Sequence, residues 1–128
     1  MNVKIDEEYP KKLAEIIAEH PDYTMKELAE AVGISKATIH RVYGTREQLF
    51  DMVCQETDRK LKEILNHMDK PQDDYKKWFD EIIHIHFTCI EYIQFQACGL
   101  NKASCAYGEQ YKIRMEIFFE EGKKKRTY

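Results

Sequence analysis

The sequence predicts an all-α fold, and three observations carry that prediction. Two capping boxes, Thr24 with Glu27 and Thr45 with Gln48, mark helix starts: the threonine hydroxyl accepts from the amide three residues on, and that residue's side chain reaches back. Apolar residues recur at helical spacing around both caps. The segment from Tyr75 to about Ala97 is apolar over more than one face, which predicts a helix buried on several sides.

Taken in order, Leu13, Ile16 and Ile17 place a helix from about Tyr9 to His20, and Pro21 with Asp22 ends it. Thr24 opens the next helix, which runs to about Ala31. Gly33 closes it in the left-handed conformation, and Ser35 caps a third helix only two residues later. Two helices joined so tightly cross steeply, so a small residue must sit at their contact. Ala29 supplies it, with Leu28, Val32, Ile34, Ile39 and Val42 as the expected shared core. Lys36, Ala37, Thr38, His40 and Arg41 remain outward. These side chains are small, hydrogen-bonding or cationic, which fits a helix lying in a DNA major groove with its N-terminal end toward base edges.

Charge points to the same surface. No acidic residue lies between Ala31 and Arg46, while Lys36, Arg41 and Arg46 are all cationic. The whole chain carries 20 Lys and Arg against 23 Asp and Glu, a net charge of −3, so attraction to phosphate is a local patch. That argues against non-specific coating of nucleic acid. Thr45 opens a long helix through Leu49, Phe50 and Val53 to about Leu65, with Arg46 in its first turn. A helix N-terminus offers free amides and a positive dipole end, so Thr45 and Arg46 are expected to clamp a phosphate.

The run Gly-Ile-Ser-Lys-Ala-Thr-Ile, the aromatic Tyr43 and the following Thr-Arg-Glu-Gln-Leu-Phe resemble the DNA-binding domain of tetracycline-repressor-type (TetR family) regulators, over roughly Tyr9 to Leu65. The resemblance implies a three-helix DNA-binding domain with a helix-turn-helix in residues 1–50, and a partial helical ligand-binding and dimerisation region in 51–128. It makes Lys36, Ala37 and Thr38 the base-reading start of the recognition helix, and Thr24, Tyr43, Thr45 and Arg46 contacts to the backbone. His40 stands where the family commonly has an aromatic residue, and Val42 where it has a polar or aromatic one; Arg41 is the replacement contact. The implied partners are a double-stranded, palindromic DNA operator, a second copy of the chain in a homodimer, and a small apolar or aromatic effector entering near Trp78, Ile82, His86 and Phe87. Repression is the implied activity. Family members usually continue with two or more helices after the equivalent of Gly122, whereas six residues follow it in this sequence. The alternative reading is therefore a helical interaction module that dimerises with or titrates a full-length homologue without binding DNA.

Beyond Leu65, Asn66 to Pro71 reads as a polar break, and Asp73 and Asp74 are placed to open the next helix. Gly99 to Ser104 breaks the apolar segment. A last helix is expected from about Ala106 to Glu121, with Gly122 as its C-cap and a frayed basic tail. With 43% hydrophobic and 34% charged residues the composition is ordinary for a soluble helical protein. No signal peptide or membrane-length apolar run is visible, which with four cysteines lacking any Cys-x-x-Cys pair fits the cytoplasm. Cys98 and Cys105 are candidates for a redox pair, with buried free thiols preferred. His84, His86 and Cys89 invite a metal reading, but His84 and His86 point to different sides of a helix, so core or pocket-lining roles are preferred and no metal or cofactor is expected. No catalytic constellation stands out, and an enzyme is not expected.

Overall fold

The computed structural model describes residues 8–70, 73–97 and 106–126. Among these residues there are seven helices and no strand: α1 (Glu8–Glu19), α2 (Met25–Val32), α3 (Lys36–Tyr43), α4 (Arg46–Met68), α5 (Tyr75–Thr88), α6 (Ile90–Ala97) and α7 (Gly108–Arg126). No helix among the described residues is long and apolar enough to cross a membrane. Cys98, Cys105 and the expected break at 99–104 lie outside the described residues, as do the side chains of the basic tail from Lys124 to Arg126.

α2, α3 and α4 begin where their caps place them. Thr24 and Thr45 form complete capping boxes, Ser35 accepts from the Thr38 amide, and Gly33 closes α2 with φ of 80°. Ala29 is buried at the α2–α3 contact beside Leu28, Val32 and Ile39. Val42 departs from expectation: it is 38% exposed, because the buried side of α3 is filled by Ile39 and by half-buried Tyr43. α4 also runs one turn further than expected, through Asn66 and His67 to Met68, which is itself buried.

The apolar segment from Tyr75 to Ala97 is two helices and not one. The break lies at Cys89, whose backbone has φ −132° and ψ 27°. Its cause is competition for one carbonyl. The Ile85 oxygen, which a continuing helix would give to the Cys89 amide, accepts instead from Thr88 Oγ1 (2.7 Å) and Cys89 Sγ (3.2 Å), and the Cys89 amide turns to His86 O (3.2 Å). The Cys89 carbonyl then accepts from Tyr92 and Ile93 to start α6. This change of direction lays α6 against α1 and α4. Tyr92 and Phe95 enter the core there, while Phe87 is left 73% exposed, so the segment is not buried all round.

A single cluster of buried side chains runs from Leu13 in α1 through Ile39, Leu61 and Phe95 to Phe118 in α7. α7 is anchored at a distance: the Asp58 carboxylate accepts from the Ala106 (2.9 Å) and Tyr107 (3.1 Å) amides, serving as an N-terminal cap supplied by α4. Gly122 does not end α7. The helix passes through it to Arg126, and a Cβ at that position would sit 3.4 Å from the Tyr75 hydroxyl, so the glycine marks a close approach of α5.

Where α5 meets α7, His86 Nδ1 lies 2.8 Å from Ile82 O and Nε2 lies 2.9 Å from Tyr111 Oη. Both ring nitrogens are thus engaged inside the protein. Burial pushes the neighbouring Cys89 thiol from 9.0 up to about 11, against the opposing pull of Lys60. Burial, with Cys89 adding to it, pushes the Tyr111 phenol from 10.0 up to about 12. Both groups hold their protons to higher pH folded than unfolded, so their stabilisation is complete below about pH 9 and is lost as pH rises toward 11 and 12. Thermal melts across that range are expected to show a loss of order 2 kcal/mol between pH 9 and 11, and Cys89→Ala to reduce it to the part that Tyr111 contributes above pH 10.

Candidate nucleic-acid interface

The outward face of α3 is built from residues at i, i+3 and i+4 spacing. Lys36, Ala37, His40 and Arg41 are all exposed and share that face, opposite fully buried Ile39. The smallest of them, Ala37, stands at the middle, so the helix can approach a base edge or a thymine methyl closely, with two cations at the sides. Thr38 is half-buried, and its role is local: its hydroxyl lies 2.8 Å from Ser35 Oγ and its amide donates to the same oxygen at 3.0 Å. The α3 cap therefore fixes Thr38 and leaves the four neighbouring side chains facing solvent.

His40 is set by the turn that follows. Its Nδ1 lies 3.1 Å from Gly44 O, while the Gly44 amide donates to His40 O at 2.9 Å. When Nδ1 donates to that carbonyl, Nε2 is left to face outward, as a donor only in the protonated ring. Gly44 has φ 80° and ψ −134°, and a Cβ there would collide with the Gln48 amide oxygen. Only Gly44 and Thr45 separate α3 from α4, so the start of α4 is held beside the recognition helix.

The expected backbone contacts occupy two helix starts. Thr24 and Thr45 are exposed, and both spend their hydroxyls on capping, Thr24 accepting from the Glu27 amide at 3.2 Å and Thr45 from the Gln48 amide at 3.1 Å. Tyr43 is half-buried against the core. Arg46 is engaged within the protein. Its Nε donates to Tyr23 O (3.2 Å), a terminal nitrogen donates to Pro21 O (2.9 Å), and the guanidinium lies 4.3 Å above the Phe50 ring. Sequence reasoning missed this because the accepting carbonyls lie 23 and 25 residues upstream.

α1 to α3 thus have a helix-turn-helix arrangement with an unobstructed cationic face. Residues 7–43 match the family model for winged helix-turn-helix DNA binding. The match ends at Tyr43, so it covers the three helices and nothing after them. The HTH-type transcriptional regulator NfxB of Pseudomonas aeruginosa is 38% identical over 90 residues, which is 70% of this chain and 48% of that protein. The matched region therefore spans about half the length of that curated relative. No solved structure matches.

The residues expected near an effector are dispersed. Trp78 is buried, donates from Nε1 to His67 O at 3.1 Å and lies 5.5 Å from the Phe118 ring. It lines a cavity of about 260 Å³ with Met68, Asp69, Arg114, Ile117 and Phe118. A shallower depression of about 640 Å³ along α5 is bordered by Lys76, Lys77, Asp80, Glu81, His84 and Ile85. Ile82, His86 and Phe87 line neither. Ile82 is fully buried, His86 is bonded to Tyr111, and Phe87 faces solvent. Among the described residues no group of three or more His, Cys, Asp or Glu side chains is placed to hold a metal ion.

Proposed function

We propose that this chain is a sequence-specific DNA-binding transcription regulator and not an enzyme, working in the cytoplasm. The observation that carries the reading is the exposed α3 face of Lys36, Ala37, His40 and Arg41, free of acidic residues, on a helix-turn-helix. The similarity to an HTH-type transcriptional regulator supports the same reading. The direct passage from α3 to a long α4 across two residues supports the finer assignment to the TetR type, with residues 1–50 as the reader and 51–128 as the regulatory part.

In this reading the chain binds a palindromic operator as a homodimer, because one helix-turn-helix makes too few contacts for tight specific binding. Exposed Ile113, Ile117 and Phe119 on α7 provide apolar area for a second copy. A small apolar or aromatic effector at the Trp78 cavity changes the spacing of the two recognition helices and relieves repression. The test is the salt dependence of affinity for a duplex selected by the chain from a random pool. Six to eight phosphate contacts per dimer give a log–log slope of roughly −5 to −7. A flat response overturns the proposal.

A further inference from the structure

We propose that Arg46 is a positioning residue that staples the α1–α2 loop to α4, fixing where the start of α2 stands relative to the recognition helix. This rests on the DNA-reading function proposed above, and it differs from the phosphate-clamp role that the position of Arg46 in its helix suggests. Pro21 ends α1 and its backbone lacks an N–H, and the short loop to Thr24 is otherwise held locally, by Tyr23 N donating to His20 O at 3.1 Å, by stacking of the His20 and Tyr23 rings at 4.3 Å and by Tyr23 resting on the core. Arg46 supplies the missing tie across the domain. Its planar fork bonds the Pro21 and Tyr23 carbonyls together from donors of fixed relative direction, a rigidity that a rotating ammonium lacks, and stacking on Phe50 fixes the plane of the fork.

The connection continues inward. Phe50 meets the Phe95 ring edge-on at a centroid distance of 6.4 Å, and α6, which carries Phe95, packs against both α1 and α4. The loop that sets the start of α2 is therefore tied, through one guanidinium and two rings, to the helix wedged between the reader and the rest of the chain. Thr24 and the first amides of α2 keep their place beside α3 only while the staple holds.

Arg46→Lys and Arg46→Gln distinguish staple from clamp. Lysine keeps the charge and loses the fork; glutamine loses the charge as well. In the full-length chain without DNA, both variants are expected to raise hydrogen exchange at the Tyr23, Glu27 and Leu28 amides by about tenfold, the factor that follows from losing a charge-assisted hydrogen bond. On the selected duplex, both are expected to bind about tenfold more weakly with the salt slope unchanged. Stoichiometric titration gives the active fraction, so partial unfolding lowers that fraction and leaves the dissociation constant of the rest alone. Wild-type affinity in Arg46→Lys together with a salt slope reduced by about one per chain in Arg46→Gln establishes a phosphate clamp and overturns the staple. Unchanged exchange at the three amides overturns it too. If the wild-type chain selects no duplex, the DNA-reading function fails while the exchange measurement still decides the staple.

Discussion

Replacing Lys36 and Arg41 together with alanine is expected to weaken binding to the selected duplex by about a hundredfold or more, with no change in melting temperature. The size follows from the α3 face. A cationic side chain in hydrogen-bonding reach of a guanine edge contributes about 1 to 3 kcal/mol of discrimination, and one placed on phosphate contributes through counterion release. In the proposed dimer, two such residues per recognition helix amount to up to four contacts, and losing them reduces the log–log salt slope by roughly 3 to 4. Stability is spared because both side chains are exposed and neither contributes to the core cluster. Fluorescence anisotropy across a salt series, beside a circular-dichroism melt, reads both quantities. Unchanged affinity would remove the recognition role of α3; a lowered melting temperature would mean that these side chains support the fold.

The reader was legible in the sequence because its determinants are local. Capping ties residues three apart, as in Thr24 with Glu27 and Thr45 with Gln48, and a left-handed glycine closes the helix it follows, as Gly33 does. Features that depend on distant partners were not legible. Arg46 stands in a first turn, where dipole logic assigns it an anion, yet its nearest acceptors are carbonyls of a loop that the fold brings back to it. Gly122 has the position of a C-cap, but its small size serves the approach of Tyr75 and α7 continues through it. Val42 and Phe87 show a further limit: apolar spacing identifies a helix but not which of its faces a neighbour covers. At Cys89, two side chains displace the backbone from the Ile85 carbonyl, and that competition is invisible to a hydrophobicity pattern that runs unbroken through it.

That break at Cys89 gives the second large expected effect. Phe95→Ala should lower the melting temperature by roughly 10 °C or more and abolish duplex binding in the same transition. Phe95 is 2% exposed on α6, and truncating a buried phenylalanine costs about 3 to 5 kcal/mol when the surroundings only partly collapse. Against a typical total of about 5 to 15 kcal/mol this is a large fraction. Its reach is wider than its own helix, since α6 lies on α1 and α4, and Leu13, Ile17, Leu49 and Val53 belong to the same buried cluster. Three short helices of some 50 residues bury too little apolar surface to stand firmly alone, so the reader draws stability from a helix that is distant in sequence. A single cooperative loss of helicity and of binding is the expected result. Two separate transitions, with binding surviving the first, would show that the helix-turn-helix folds independently of α6. The same coupling has a functional side: any displacement of α6 alters the seating of α1 and α4, and with them the placement of the recognition helix α3.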